Sequence, residues 1–83
     1  MDVTEGGRKA IQILCKKIAA WDEKDEKELA QLIYDSAAEA EVETTELFTA
    51  VYKAMIGKEK GPKLALFIAT VGKERTVQIL SKY

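Results

Sequence analysis

"ELFTAVYKAMIGKEKGPKLALFIATVGKER", residues 46–75, decides how this chain is read. Its opening places Phe48, Val51, Tyr52 and Met55 at the three- and four-residue steps of one helix face. Gly57 then offers a stop, because glycine enters the left-handed C-cap conformation without strain. Pro62 offers a start, since the first residue of a helix has no N–H bond to lose. Leu64, Phe67, Ile68 and Val71 resume the helical step. Gly72 ends that fourth segment or breaks it from a fifth, carried by Val77, Leu80 and Tyr83.

Upstream the same step recurs. Ile11, Leu14, Cys15 and Ile18 form a first stripe that Trp21 continues, and Leu29, Leu32, Ile33, Ala37 and Ala40 form a second. Gly6 and Gly7 are expected to precede the first helix. "WDEKDEKE" separates the first two helices, with Asp25 as cap of the second and Glu28 in the capping-box position. "EVETTE" separates the second and third, where Glu43 or Thr44 is the cap. No segment alternates with period two, so no strand is expected. Helices with one apolar side and this length are unstable alone and must pack together. The expectation is an all-α fold, a compact bundle of about five short helices forming one domain over residues 1–83.

Bulk properties narrow the function classes. Hydrophobic content of 47% with 33% charged residues fits a globular helical domain rather than a disordered chain. One cysteine, Cys15, leaves no internal disulfide and no cysteine cluster for a metal, and reads as a small core residue. No run reaches the ~18 apolar residues of a membrane span. The opening "MDVTEGGRK" has no signal-peptide core. A soluble, cytoplasmic protein with no membrane contact is expected.

Glycine and lysine together in "GKEKGPK", residues 57–63, raise the question of a phosphate-binding loop. Spacing rejects it. A Walker loop needs four residues between its glycines, then lysine, and a preceding strand. Three residues separate Gly57 from Gly61, Pro62 takes the lysine position, and the preceding segment is helical. The chain has no histidine, which removes the commonest acid–base group at neutral pH and the Ser–His and Cys–His nucleophile pairs. "DEKDEKE" lacks the spacing and glycine of a calcium loop. No catalytic residue and no metal site are therefore expected. The aromatics Trp21, Tyr34, Phe48, Tyr52, Phe67 and Tyr83 mostly fall on apolar stripes and read chiefly as core, with base stacking as the alternative.

Charge is unevenly laid out behind a net −1. Residues 1–21 hold four basic and two acidic residues, residues 22–46 two and ten, and residues 47–83 seven and two, giving +2, −8 and +5. Lys58, Lys60, Lys63, Lys73 and Arg75 gather at the two glycine breaks. Lysines beside a helix N-terminus suit a phosphate contact. A merely solvated rim is the plain alternative.

Residues 46–75 also resemble the C-terminal end of class I lysyl-tRNA synthetases, the mainly archaeal type. Glu46, Leu47, Phe48, Ala50, Val51 and Tyr52 match the family's first helix, of the form E-L/F-F-x-A-L/V-Y. Ile56, Gly57, Lys58, Glu59, Gly61, Pro62 and Lys63 match I/L-G-K-E-x-G-P-K/R. Phe67, Ile68, Ala69, Val71 and Gly72 match the short helix F-I/L-A-x-L/V-G. The family often has glycine and proline where this chain has Ala65 and Leu66, which makes the fourth helix more regular here. The resemblance, placed on residues 46–83, implies the all-helical anticodon-binding region of a lysine–tRNA ligase. It implies lysine-accepting tRNA and the remainder of the synthetase as partners. ATP and lysine would be used by a catalytic domain whose HIGH-like and KMSKS-like signatures are not in this sequence, so the domain carries no cofactor and no catalysis of its own. On this reading Lys58, Lys60, Lys63, Lys73 and Arg75 contact RNA, and Gly57, Gly61, Pro62 and Gly72 are structural hinges.

Two other readings remain open at this level. One is a structural or protein-interaction module without RNA contact, which the −8 segment favours because it repels RNA. The other is a DNA-binding helix-turn-helix around Gly72, for which "KERTVQILSKY" offers few base-reading groups beyond Arg75 and Gln78.

Overall fold

The computed structural model describes residues 3–58, 61 and 63–83. Its elements are α1 (Glu5–Ala20), α2 (Glu26–Glu39), α3 (Thr44–Ile56), α4 (Leu64–Val71) and α5 (Lys73–Leu80). No strand occurs among the described residues. Among the described residues the expected all-helical bundle forms, with five helices. α1 packs on α2, α3 and α5, while α4 packs on α2 and α5.

The stripes read from the sequence supply the core. Ile11, Leu14 and Ile18 of α1 meet Leu29 and Ile33 of α2, Leu47 and Val51 of α3, Ile68 of α4 and Leu80 of α5 in one buried cluster. Each such side chain contributes about 1.5–3 kcal/mol when fully buried. Ser36 is buried in the same region, and its hydroxyl donates to Leu32 O, 2.7 Å away and one turn back.

The first helix starts earlier than expected. Gly6 and Gly7 lie inside α1 rather than before it. Thr4 is the cap, its hydroxyl accepting from Gly7 N at 2.9 Å. The glycines are there for space. A Cβ on Gly6 would sit 2.8 Å from Val42 Cγ1, and one on Gly7 2.9 Å from Ala50 Cβ. The first turn of α1 therefore lies hard against Val42 and the middle of α3.

The connections close the backbone account. Trp21 ends α1, and its indole N–H donates to Asp25 O at 3.2 Å across the loop. Asp25 caps α2 through Lys27 N at 2.8 Å. The reciprocal half of the expected capping box is not formed, because Glu28 is exposed and makes no hydrogen bond among the described residues. α2 ends in a Schellman arrangement, with Val42 N donating to Ala37 O and Glu41 N to Ala38 O. Glu41 occupies its left-handed position at φ 58°. Glu43, rather than Thr44, precedes α3, without a side-chain cap bond.

Candidate nucleic-acid interface

The two glycine breaks stand at opposite ends of α4, whose eight residues span about 12 Å. At the first, Gly57 ends α3 in the left-handed conformation, φ 71° and ψ 17°, and its N–H donates to Lys53 O. Lys58 follows and is exposed. Lys63 precedes α4 and is exposed as well. Lys60 and Pro62 lie outside the described residues, as does the proposed role of Pro62 in starting the helix. α4 itself is assigned from Leu64.

Gly61 is present for close approach. A Cβ there would sit 2.7 Å from Tyr52 Cε1 and 2.9 Å from Cδ1. The chain at Gly61 thus lies directly against a ring that is almost wholly buried. Burial raises the Tyr52 phenol above its ordinary pKa, so the ring stays neutral at physiological pH.

The second break is built differently. Gly72 is at once the end of α4 and the residue before α5, at φ 101° and ψ 147°. One residue joins the helices, whereas a helix-turn-helix uses a turn of about three to four residues. Lys73 is half-buried and its ammonium donates to Trp21 O at 2.6 Å. That carbonyl belongs to the C-cap of α1, where a cation also meets the negative end of the helix dipole. Arg75 is exposed two residues on. The four of these basic residues that the structure describes are therefore divided between the two breaks. Lys58 and Lys63 flank the α3–α4 connection, Lys73 and Arg75 stand beyond α4, and Lys73 already has a partner within the chain.

Beside Lys63 opens a groove of about 480 Å³ between α2, α3 and the start of α4. Tyr34, Phe48 and Tyr52 line it, with Thr45 and Thr49 on the α3 side. Tyr34 and Phe48 lie with ring centroids 6.4 Å apart and planes tilted by 47°. Tyr34 is 52% exposed, against the expectation that it belongs to the core. The signal was present in the sequence. Tyr34 follows Ile33 directly, so it stands about 100° around the helix from the buried Leu29–Ile33–Ala37 stripe. Among the described residues no three metal-ligating side chains come together, and no helix is long and apolar enough to cross a membrane.

The arrangement sets one exposed cation, Lys63, beside aromatic rings, the two kinds of group that hold single-stranded nucleic acid. Comparison with known proteins bears on the same point. A family model described as an anticodon binding domain matches residues 2–83. A lysine–tRNA ligase of Treponema pallidum (strain Nichols) is 44% identical over 62 residues, 75% of this chain and 12% of the relative. One from Borrelia garinii subsp. bavariensis is 38% identical over 80 residues, 95% of this chain and 15% of the relative. One from Thermococcus kodakarensis is 34% identical over 77 residues, 88% of this chain and 15% of the relative. The chain thus spans between 12% and 15% of the length of these relatives. No solved structure gives a significant match.

Proposed function

The chain belongs to the anticodon-binding domain family, and on that premise we propose that it binds tRNA in its anticodon region and takes no part in the chemistry of aminoacylation. The observation that carries this reading is the match over residues 2–83, which takes in all five helices and both basic breaks. The matched relatives are lysine–tRNA ligases, so the proposed RNA is a lysine-accepting tRNA. The motifs of residues 46–75 favour the class I, archaeal type of that enzyme. ATP and lysine would be handled by the remainder of such a ligase, in the cytoplasm.

Lys58, Lys60 and Lys63 are the proposed phosphate contacts, with Arg75 as a more distant one. Exposed lysines suit this role because each phosphate contact releases condensed counterions. Lys73 is assigned to holding α5 against the end of α1, since its ammonium is bound to Trp21 O.

The segment 22–46, with ten acidic and two basic residues, favours the competing reading of a protein-facing structural module. An NMR titration separates the two. Adding the anticodon stem-loop of a lysine-accepting tRNA should shift amides of residues 57–63 more strongly than an unrelated stem-loop does. If neither RNA shifts any amide, the structural module is the correct reading.

A further inference from the structure

We propose that the groove lined by Tyr34, Phe48, Tyr52 and Lys63 takes one unpaired nucleobase of the bound RNA, with Lys63 on the phosphate beside it. The proposal rests on the tRNA-binding reading and names the subsite that reading leaves open.

Four features of the groove select this occupant. First, Tyr34 leaves half its surface in water although it stands beside Phe48, so an aromatic face is available at the mouth. Second, Tyr52 lies deep in the groove at 5% exposure, and its ring is braced by Phe67, with centroids 5.9 Å apart. Third, among the described residues no carboxylate lines the groove, although α2 and the segment before α3 are rich in them. Lys63 is the one charged residue on its wall among the described residues. Fourth, Thr49 stands on the α3 wall, where the edge of a base needs hydrogen-bonding groups, while the neighbouring Thr45 hydroxyl already donates to Glu43 Oε2 at 3.5 Å. The volume of about 480 Å³ falls within the ~300–1,000 Å³ usual for small-molecule sites.

An apolar side chain from a protein would cover Tyr34 equally well, but would leave Lys63 without an anion. A nucleotide meets both the rings and the lysine, since it joins a flat uncharged ring to an anion. Single-stranded loops are read in this way, by splayed bases stacked on aromatic side chains. Gly61 contributes by its lack of a side chain. Any Cβ there would push the Tyr52 ring or lift the loop that carries Lys63.

The test measures affinity of the 83-residue chain for two RNAs. One is the anticodon stem-loop of a lysine-accepting tRNA, and the other is the same stem-loop with abasic sites in the loop. Abasic sites keep the phosphates and remove the bases. The unsubstituted chain should bind the abasic RNA about tenfold more weakly, the ordinary worth of one stacked base. Tyr34→Ala should lose a similar factor on the intact RNA and nothing further on the abasic one, while Tyr34→Phe should retain binding. Equal binding of both RNAs by the unsubstituted chain overturns the base pocket and leaves the phosphate contacts standing. Undiminished binding by Tyr34→Ala overturns it likewise. Failure of the unsubstituted chain to bind either RNA overturns both the pocket and the tRNA-binding reading.

Discussion

Residues 57–63 and residues 72–75 both break the helical run with a glycine followed by a lysine, and the two breaks put those residues to different use. At the first, Gly57 adopts an ordinary left-handed C-cap, Lys58 and Lys63 remain in solvent, and Lys63 borders an aromatic groove. At the second, Gly72 joins two helices by itself, and Lys73 is turned onto the carbonyl that ends α1. Identical letters thus serve one surface that is free to meet a phosphate and one joint that holds the bundle closed. A positive residue is evidence of a binding role only after its own chain has been searched for its partner.

The largest expected difference between the breaks lies in their glycines. Gly57 stands at φ 71° and ψ 17°, a region that asparagine also enters. Gly72 stands at φ 101° and ψ 147°, close to conformations that essentially only glycine adopts. In neither place would a Cβ touch anything among the described residues, so conformation sets the cost. Gly72→Asn should destabilise the fold by about 2–3 kcal/mol, and Gly57→Asn by less than about 1 kcal/mol. Urea unfolding monitored by circular dichroism measures both. Equal losses would show that the breaks are interchangeable.

Next in size is the lysine that faces inward. Lys73→Met keeps the aliphatic stem and removes the donor to Trp21 O. It should cost about 1–2 kcal/mol, the range for a hydrogen bond from a charged group that leaves its acceptor unpaired. Lys58→Ala and Lys63→Ala, both at exposed sites, should each stay within about 0.5 kcal/mol of the unsubstituted chain. The same unfolding curves check these values. A loss at Lys63 as large as that at Lys73 would remove the distinction between a solvent-facing and an inward-facing lysine.

Much of the fold was legible because helices announce themselves by spacing. Leu14, Ile18, Leu29, Ile33 and Ile68 each sit on a periodic stripe and each is buried. Gly57 and Gly72 marked real helix ends, since a positive φ at a helix end selects for glycine. Gly6 and Gly7 misled because glycine has two uses, and only the contacts of α1 with Val42 and Ala50 show that space rather than a turn is at stake. Leu47 was left off the third stripe, yet it is fully buried, because α3 presents Leu47, Val51 and Tyr52 to the bundle. The site was less legible. Sequence position gathered Lys58, Lys60, Lys63, Lys73 and Arg75 into one group, but the separation of the described four depends on the path of α4 and on the position of Trp21, 52 residues before Lys73. The groove at Tyr34 needed α2, α3 and α4 to be placed together before it existed at all.

The most direct test of this division is the salt dependence of affinity for the anticodon stem-loop of a lysine-accepting tRNA, measured for three chains. The double variant Lys58→Ala, Lys63→Ala should lower the slope of log affinity against log salt by about 1.5, as expected when two phosphate contacts are lost. Lys73→Met should leave the slope of the unsubstituted chain unchanged. A double variant with the full slope, or a slope that falls at Lys73→Met as much as at the first break, would contradict the assignment.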